Sequence, residues 1–194
     1  MAVLAPQTTT TSKTADLPLS LAEAKAALRI SGSDLDTEVE AALKAAVEWC
    51  ETESSRALRV AHTITQTYRQ WPVSPVRFDH QPVKAIISIA YYDTSGGSQV
   101  VSSSNYRLLA SGDGAAALEF DDGYSLPSLD VRSDAVTITY TAGYDDIGSV
   151  PEQAKQAMRL KLRQLFGTLT DREMQANEMA LRSLIGQLKW RPYR

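Results

Sequence analysis

The hydrophobic residues change their spacing twice along this chain, and this double change limits the possible folds more than any single motif does. Up to about Arg59 the apolar residues recur at helical spacing; they then alternate in β-branched segments, and the helical spacing returns from Pro151. In a helix the same face recurs about every 3.6 residues, and in a strand it recurs every two residues. A sequence patterned for one of these structures therefore does not place its apolar residues on a single face of the other. The chain is therefore predicted to have an α+β fold, a small bundle of N-terminal and C-terminal helices with an antiparallel β-rich insertion between them.

These changes divide the chain into five predicted segments. Residues 1–17 contain four consecutive threonines and have too little apolar surface to order themselves, which predicts a flexible N-terminal arm. N-terminal helices over 18–58, a β-rich region over 59–144, C-terminal helices over 145–187 and a tail over 188–194 follow it. We expect residues 18–187 to form one folded unit.

Helix-capping residues predict where the helices begin. Ser20 and Glu23 have the spacing of a capping box, and Asp34 is placed to cap a second, longer helix. Pro151 stands at a first-turn position of a third helix, where its missing amide costs nothing. A further short helix is predicted over roughly 174–187.

Composition narrows the class of protein. The chain has 194 residues, of which 43% are hydrophobic and 22% are charged, and this is ordinary for a globular protein with a real core. The single cysteine, Cys50, excludes an internal disulfide framework and a multi-cysteine metal site. No apolar run is long enough to span a bilayer. We expect a soluble protein with no membrane partner, made in a reducing cytosol or assembled there into a particle.

Residues that commonly carry catalysis are few and are not grouped into a known motif. The two histidines lie in a strand pattern and a turn, Cys50 lies on the apolar stripe of its helix, and two pairs of aspartates lie in turns. The aspartates lack the alternating oxygen ligands of a calcium loop. These residues are His62, His80, Asp121, Asp122, Asp145 and Asp146. We expect no catalytic residues, no metal site and no cofactor.

Charge is distributed unevenly. The formal net charge of the chain is −3. From Pro151 onward there are nine Lys/Arg and four Asp/Glu, a net charge of +5. The first 150 residues contain 11 Lys/Arg and 19 Asp/Glu, a net charge of −8. Either this C-terminal part meets an acidic partner or phosphate, or it is a solvated helix face. Its basic helix face is predicted to consist of Lys155, Arg159, Lys161 and Arg163.

This basic face supports one alternative function, a non-enzymatic nucleic-acid-binding module that uses the C-terminal helix. Clustered Lys/Arg are sufficient for phosphate affinity. The chain as a whole is acidic, with a pI of about 5.4, and it shows no base-reading motif.

The order of the segments resembles the head-to-tail connector proteins of tailed bacteriophages, also called adaptor or head-completion proteins, a branch of which occurs in prophages and gene transfer agents. The resemblance covers roughly residues 18–194. It is carried by the ordered set ETESSRAL, QPVKAIISIAYYDTSGG, NYRLL, DAVTITYTAGY, VPEQAKQAMRLKLRQLF and LRSLIGQLKWRPYR.

This resemblance implies a structural function in a virion or virus-like particle assembled in the bacterial host cytoplasm. Copies of the chain, twelve in the particle, are expected to form a ring beneath the portal protein. That ring would extend the DNA channel, with non-specific proximity to duplex DNA, and would dock the stopper or tail-completion protein.

Two stretches are predicted to be contact sites. Trp, Tyr and Arg most often dominate interface energetics, which favours the C-terminal tail as the portal-binding site. Loops on a rigid scaffold commonly carry recognition, which favours the apolar residues of the 121–130 loop as the stopper or tail contact. The predicted portal-binding residues are Trp190, Arg191, Pro192, Tyr193 and Arg194, and the predicted loop residues are Tyr124, Leu126, Pro127 and Leu129.

Overall fold

The structure is a computed structural model that describes residues 6–110, 115–167 and 169–189. Within these residues the helices are α1 (Leu21–Leu28), α2 (Asp36–Ser54), α3 (Glu152–Leu165) and α4 (Asp171–Leu188). The strands are β1 (Gln7–Lys13), β2 (His62–Tyr68), β3 (Val76–Arg77), β4 (Val83–Tyr92), β5 (Ser98–Val100), β6 (Tyr106–Ala110), β7 (Ala116–Phe120) and β8 (Val136–Ala142). The predicted α+β class, with strands between N-terminal and C-terminal helices, is confirmed.

The described chain forms two compact units where the sequence predicts one. The helical unit consists of residues 14–60 and 144–189, and the β unit consists of residues 6–13 and 61–143 without the four undescribed residues 111–114. The chain therefore passes between the units three times, at residues 13–14, 60–61 and 143–144.

The core of the helical unit is built from the predicted stripes of its helices. Val39, Leu43 and Cys50 of α2 are buried against Met158 and Leu162 of α3. Leu35, which the periodicity also assigns to the α2 stripe, is 41% exposed, because it precedes the first turn of the helix. Burial of a fully apolar face is the main stabilising term for helices of this length.

Two helices begin at capping boxes. The Ser20 hydroxyl accepts from the Glu23 amide at 3.2 Å while the Ser20 amide donates to Glu23 Oε2 at 2.8 Å, which confirms the box predicted for α1. Thr170 and Glu173 form the same arrangement at α4. This second box, overlooked in the sequence, makes α4 begin at Asp171 instead of about 174. The predicted cap at Asp34 is wrong: Leu35 is the N-cap of α2 and makes no side-chain cap hydrogen bond.

The β unit contains two antiparallel sheets. One has five strands in the order β1-β2-β8-β4-β5, and the other has three in the order β3-β7-β6. In β2 and β8 the residues alternate between buried and half-buried positions, as the predicted two-residue period requires. Phe78, which follows β3, contacts Tyr140 of β8 with ring centroids 4.5 Å apart, so the core of this unit includes both sheets.

The N-terminal segment differs from the predicted flexible arm. Residues Gln7–Lys13 form β1 and pair antiparallel with β2, and the Thr8 hydroxyl donates a hydrogen bond to Asp79. Threonine is β-branched and fits a half-exposed edge strand, so the run gains order from the sheet that it cannot gain alone. The ladder is irregular between Thr10 and Ser12, and a bulge of this kind discourages further pairing at an edge.

The transition from β8 to α3 takes place at Gly143 and Tyr144. Gly143 has φ of +133°, which favours glycine, and its amide donates to the Pro82 carbonyl at 2.9 Å. Asp146 then accepts from the Ser149 amide at 2.8 Å, and this turn leads to Pro151, the N-cap of α3. The described helices include none that is both long and apolar enough to cross a membrane.

Candidate functional site

The loop that joins β7 to β8 is held by a cluster of aromatic rings. Trp71 packs on Tyr91 and Phe120 with centroid distances of 5.4 and 5.7 Å, and Phe120 stacks on Tyr124 at 6.4 Å. The Trp71 indole Nε1 donates to the Pro127 carbonyl at 2.8 Å. Aromatic pairs of this geometry contribute beyond their buried area, so the loop is anchored on the sheet.

The backbone fixes this loop at both ends. The Tyr124 amide donates to the Asp121 carbonyl at 2.9 Å, and the Asp130 amide donates to the Tyr92 carbonyl at 2.9 Å. Leu129 forms an isolated antiparallel bridge with Asp93. The loop is therefore a pre-organised surface, and rigid presentation reduces the ordering cost of a contact.

The four residues predicted for this loop differ in their accessibility. Tyr124, Pro127 and Leu129 are half-buried and hold the loop, whereas Leu126 is 40% exposed. Burial also raises the pKa of the Tyr124 phenol. Two residues of this surface were not predicted from the sequence. Trp71 anchors the loop from 56 residues away in the chain, and Val131 is exposed beside it in sequence.

The loop is bordered by carboxylates that pair with two arginines. The Arg132 guanidinium lies 3.6 Å from the centroid of the Tyr92 ring and donates to Asp134 at 2.7 Å, which lowers the pKa of the Asp134 carboxyl. Arg107 pairs with Glu119. The aspartates 121 and 122 lie beside that pair and help to raise the pKa of Arg107.

The predicted basic face on α3 is largely occupied by contacts within the helical unit. Arg159 pairs with Glu152 and lies 3.6 Å from Glu23. Lys161 Nζ lies 4.5 Å from the centroid of the Trp49 ring. Phosphate would have to compete with these partners for the two cations.

The other two basic residues also lie among carboxylates. Lys155 helps to lower the pKa of Asp146, and Arg163 helps to lower the pKa of Glu173. All four predicted basic residues are half-buried. The structure therefore shows a helix surface in which positive charge is balanced locally.

Two of the residues considered for catalysis or metal binding, Cys50 and Asp146, have structural roles. Cys50 is fully buried in the helical core, as predicted, and burial raises the pKa of its thiol to about 12, far from that of a nucleophile. Asp146 accepts from Ser149 in a turn. Among the described residues, no group of three or more His, Cys, Asp or Glu is placed to hold a metal ion.

The predicted portal-binding residues 190–194 lie outside the described residues, but the chain leading to them is defined. Arg56 Nε donates to the Leu188 carbonyl at 2.6 Å and thereby caps the C-terminal end of α4. The sequence pattern also predicts a docking stripe on α4. The stripe consists of Leu181, Leu184, Ile185 and Leu188. The prediction is wrong for Leu181, Ile185 and Leu188, which are buried in their own unit, and Leu184 is partly buried against the same core.

No protein-family model matches the chain, and no curated protein matches it either. Solved structures do match. A chain in the neck of an empty gene transfer agent (GTA) particle, computed with C6 symmetry, aligns with a TM-score of 0.77 at 19% identity, over 97% of both chains. A chain in the virion of a native GTA particle aligns with a TM-score of 0.74 at 21% identity, over 96% of this chain and 97% of that one.

A third match is a chain in the neck of a native GTA particle computed with C12 symmetry, with a TM-score of 0.69 at 18% identity over 97% of both chains. At these identities the likeness establishes the fold, and it extends over both units. The chain therefore has the fold of proteins found in the neck and virion of gene transfer agent particles, in agreement with its resemblance to head-to-tail connectors.

Proposed function

We propose that this chain is a structural virion protein, the adaptor subunit that forms a ring beneath the portal of a tailed-phage-like or gene transfer agent particle. The carrying observation is the likeness in fold, over 97% of both chains, to a chain in a GTA neck computed with C12 symmetry. In this proposal twelve copies surround and extend the DNA channel, and the subunit has no enzymatic activity.

Two contact sites are proposed for each copy in such a ring. In the proposal the C-terminal tail 190–194 is the anchor to the portal, and the loop around Leu126 is the contact for the stopper or tail-completion protein. The supporting observations are the pre-organised loop with an exposed leucine and the capped helix that directs the chain into the tail. A cyclic ring also requires two different complementary surfaces on each copy.

Ring formation is proposed to depend on the portal. A head-to-tail contact that formed freely in the cytosol would close prematurely or polymerise. The isolated chain is therefore expected to be monomeric or weakly associated in light scattering, and to form a ring when portal assemblies are added. A tight closed homodimer at low concentration would contradict this.

A nucleic-acid-binding module is the weaker alternative, because the cations that would bind phosphate are engaged by Glu23, Glu152 and the Trp49 ring. The decisive experiment is cryo-electron microscopy of native particles that carry a tag on this chain. Density for the chain between portal and tail supports the adaptor function. Tagged chain absent from particles, or bound only to free DNA, refutes it.

A further inference from the structure

One face of the five-stranded sheet is built largely from threonine. In β2 and β8 the residues that alternate with the buried ones are threonines, and cross-strand pairing continues their positions over all five strands. Successive residues of a strand point to opposite faces, so the residues paired with these threonines share their face. We call this surface the threonine face. It consists of three cross-strand rows, Gln7–Thr67–Thr137–Ala90–Val100, Thr9–Thr65–Thr139–Ser88 and Ser12–Thr63–Thr141–Ala85.

The threonine face carries no charged residue, although all of its residues are exposed or half-buried. Charged residues make up 22% of the chain, so about three would be expected among these positions. The exposed positions of α2, by comparison, include Glu38 and Glu40. Charged side chains do occur at the margins of the face, Lys84 in a β4 bulge and Arg132 over the Tyr92 ring. An uncharged centre with a charged rim is the usual composition of a protein–protein contact.

The threonine face also offers apolar surface and hydroxyls that are placed to bond one another. Val100 is 67% exposed at its β5 end, and Ile87, in a β4 bulge, is 53% exposed. Thr65 Oγ1 lies 3.3 Å from Thr11 Oγ1 and 3.4 Å from Thr139 Oγ1, so hydroxyls of three neighbouring strands are within hydrogen-bonding distance. Polar groups that keep a hydrogen-bond partner cost less to remove from water. The face can therefore be covered by another surface at a modest desolvation cost.

We propose that a second copy of this chain covers the threonine face, which is one of the two different surfaces that each copy needs in a ring. This rests on the proposed function, in which copies of the chain form a ring. Each copy has a net charge of −3, so copies repel one another as whole molecules, and a contact surface without charge adds no like-charge repulsion. Duplex DNA is a poorer occupant, because the rows of the face offer no lysine or arginine to phosphate.

The size of the face indicates how strong this contact is. Five strands about 4.8 Å apart and rows that extend over five residues of about 3.3 Å each give an area on the order of 400 Å². A stable protein–protein contact buries about 800 Å² on each partner. The threonine face alone therefore supports only weak association, in keeping with a chain that is monomeric or weakly associated until a portal gathers the copies.

The test is a dilution series of the full-length chain with ¹³C-labelled threonine methyl groups, observed by NMR. The series runs from about 1 mM to about 20 μM, the range in which a contact of this size dissociates. We expect the methyl signals of Thr65, Thr137 and Thr139 to shift on dilution. Thr37 and Thr52 are exposed on α2 and serve as internal references, so their signals should stay constant.

Two charged variants locate the contact. Thr139→Lys places a charge at the centre of the face and is expected to weaken self-association about tenfold, because the contact would then bury an unpaired charge. Val100→Lys changes a side chain that is already 67% exposed, so the fold is not at risk, and it should weaken association severalfold. Thr52→Lys adds the same charge on α2 and should leave association unchanged. Melting curves show that each variant is folded.

Several results would overturn the proposal. These are face signals that do not change on dilution, equal changes at Thr37 and Thr52, or self-association that is the same in all three variants. Face signals that shift when a short duplex DNA is added to the dilute chain would assign the face to DNA instead. Failure of the proposed adaptor function would appear differently, as native particles without this chain, and would leave the dilution result standing.

Discussion

The Arg59 Nε atom lies 3.6 Å from a carboxylate oxygen of Glu51, and both side chains are buried in the helical unit. Arg59 also donates from Nη1 to the Thr14 carbonyl at 3.2 Å, and its own carbonyl accepts from the Tyr144 amide at 3.1 Å. Thr14, Arg59 and Tyr144 lie at or next to the three points where the chain enters or leaves this unit. A single buried arginine therefore connects all three of these chain segments within the helical unit.

Removing the charge of Glu51 is predicted to destabilise the helical unit strongly. Glu51→Gln leaves a buried guanidinium without its buried counter-charge, and loss of one partner of such a pair costs about 3–5 kcal/mol. The control is Glu48→Gln: this carboxylate also lies 3.6 Å from Arg59 but is 60% exposed, so its loss should cost under about 1 kcal/mol. Denaturant unfolding followed by circular dichroism measures both, and equal losses would contradict this assignment.

The N-terminal strand is predicted to be necessary for the β unit. Deleting residues 1–5 should have little effect on stability, whereas deleting residues 1–13 removes β1 from the five-stranded sheet. Each net backbone hydrogen bond is worth about 1 kcal/mol, so the second deletion should cost on the order of a few kcal/mol. It also exposes the edge of β2 to aggregation. Melting curves and light scattering on both truncations provide the check, and a longer truncation as stable as the shorter one would restore the flexible-arm interpretation.

The turn between β4 and β5 is predicted to depend on the charge of Asp93. Its carboxylate accepts from the Ser95 hydroxyl at 2.5 Å, from Gln99 Nε2 at 2.9 Å and from the Gly97 amide at 3.0 Å. These hydrogen bonds lower the pKa of Asp93 from its ordinary 3.8 to about 2. The stabilisation is therefore fully present above pH 3.8 and is lost as the pH falls through about 2.

Carboxyl NMR titration of Asp93 tests this directly, and a midpoint near 3.8 would refute it. Asp93→Asn should remove this pH dependence from amide exchange in the turn. Gly96 has φ of +80° and supports the same turn by backbone conformation alone, so Gly96→Ala should loosen it without changing the midpoint.

Leu126 and Tyr124 are predicted to respond differently to serine. Leu126→Ser changes an exposed side chain, so the fold should be unaffected within about 0.5 kcal/mol while stopper or tail attachment falls. Tyr124→Ser removes a half-buried ring that stacks on Phe120, so it should lower the melting temperature as well. Negative-stain counts of tailed particles together with melting curves separate the two. Normal tail attachment with Leu126→Ser would exclude this loop as the contact.

Local patterns were sufficient to predict the class of fold. The Ser20–Glu23 box, the burial of Cys50 and the alternation of β2 and β8 depend on residues a few positions apart, which is the range over which periodicity and capping act. The pairing of β1 with β2, the pairing of β2 with β8 and the anchoring of the loop by Trp71 depend on residues 49 to 80 positions apart. No local pattern contains that information.

The basic helix face shows the same limit for function. Lys155, Arg159, Lys161 and Arg163 were predicted from their number and spacing, but spacing does not show which carboxylates or rings face them. Arg159 meets Glu23 from α1, 136 residues earlier in the chain, and Lys161 meets Trp49 from α2. Whether these cations are available to bind a partner therefore depends on the tertiary structure.

Weak retention on DNA is the last prediction, and it follows from those pairs. If the α3 cations are engaged, the chain should elute from a duplex-DNA column below physiological salt, with a shallow dependence of affinity on salt, because few counterions are released. Releasing the cations should strengthen binding: Glu23→Gln together with Glu152→Gln frees Arg159 and should steepen the salt dependence by about one phosphate contact. Glu38→Gln together with Glu40→Gln, which removes two exposed charges on another helix, controls for the change in net charge. Firm retention of the unmodified chain at physiological salt would instead favour the nucleic-acid-binding alternative over a channel subunit past which DNA moves freely.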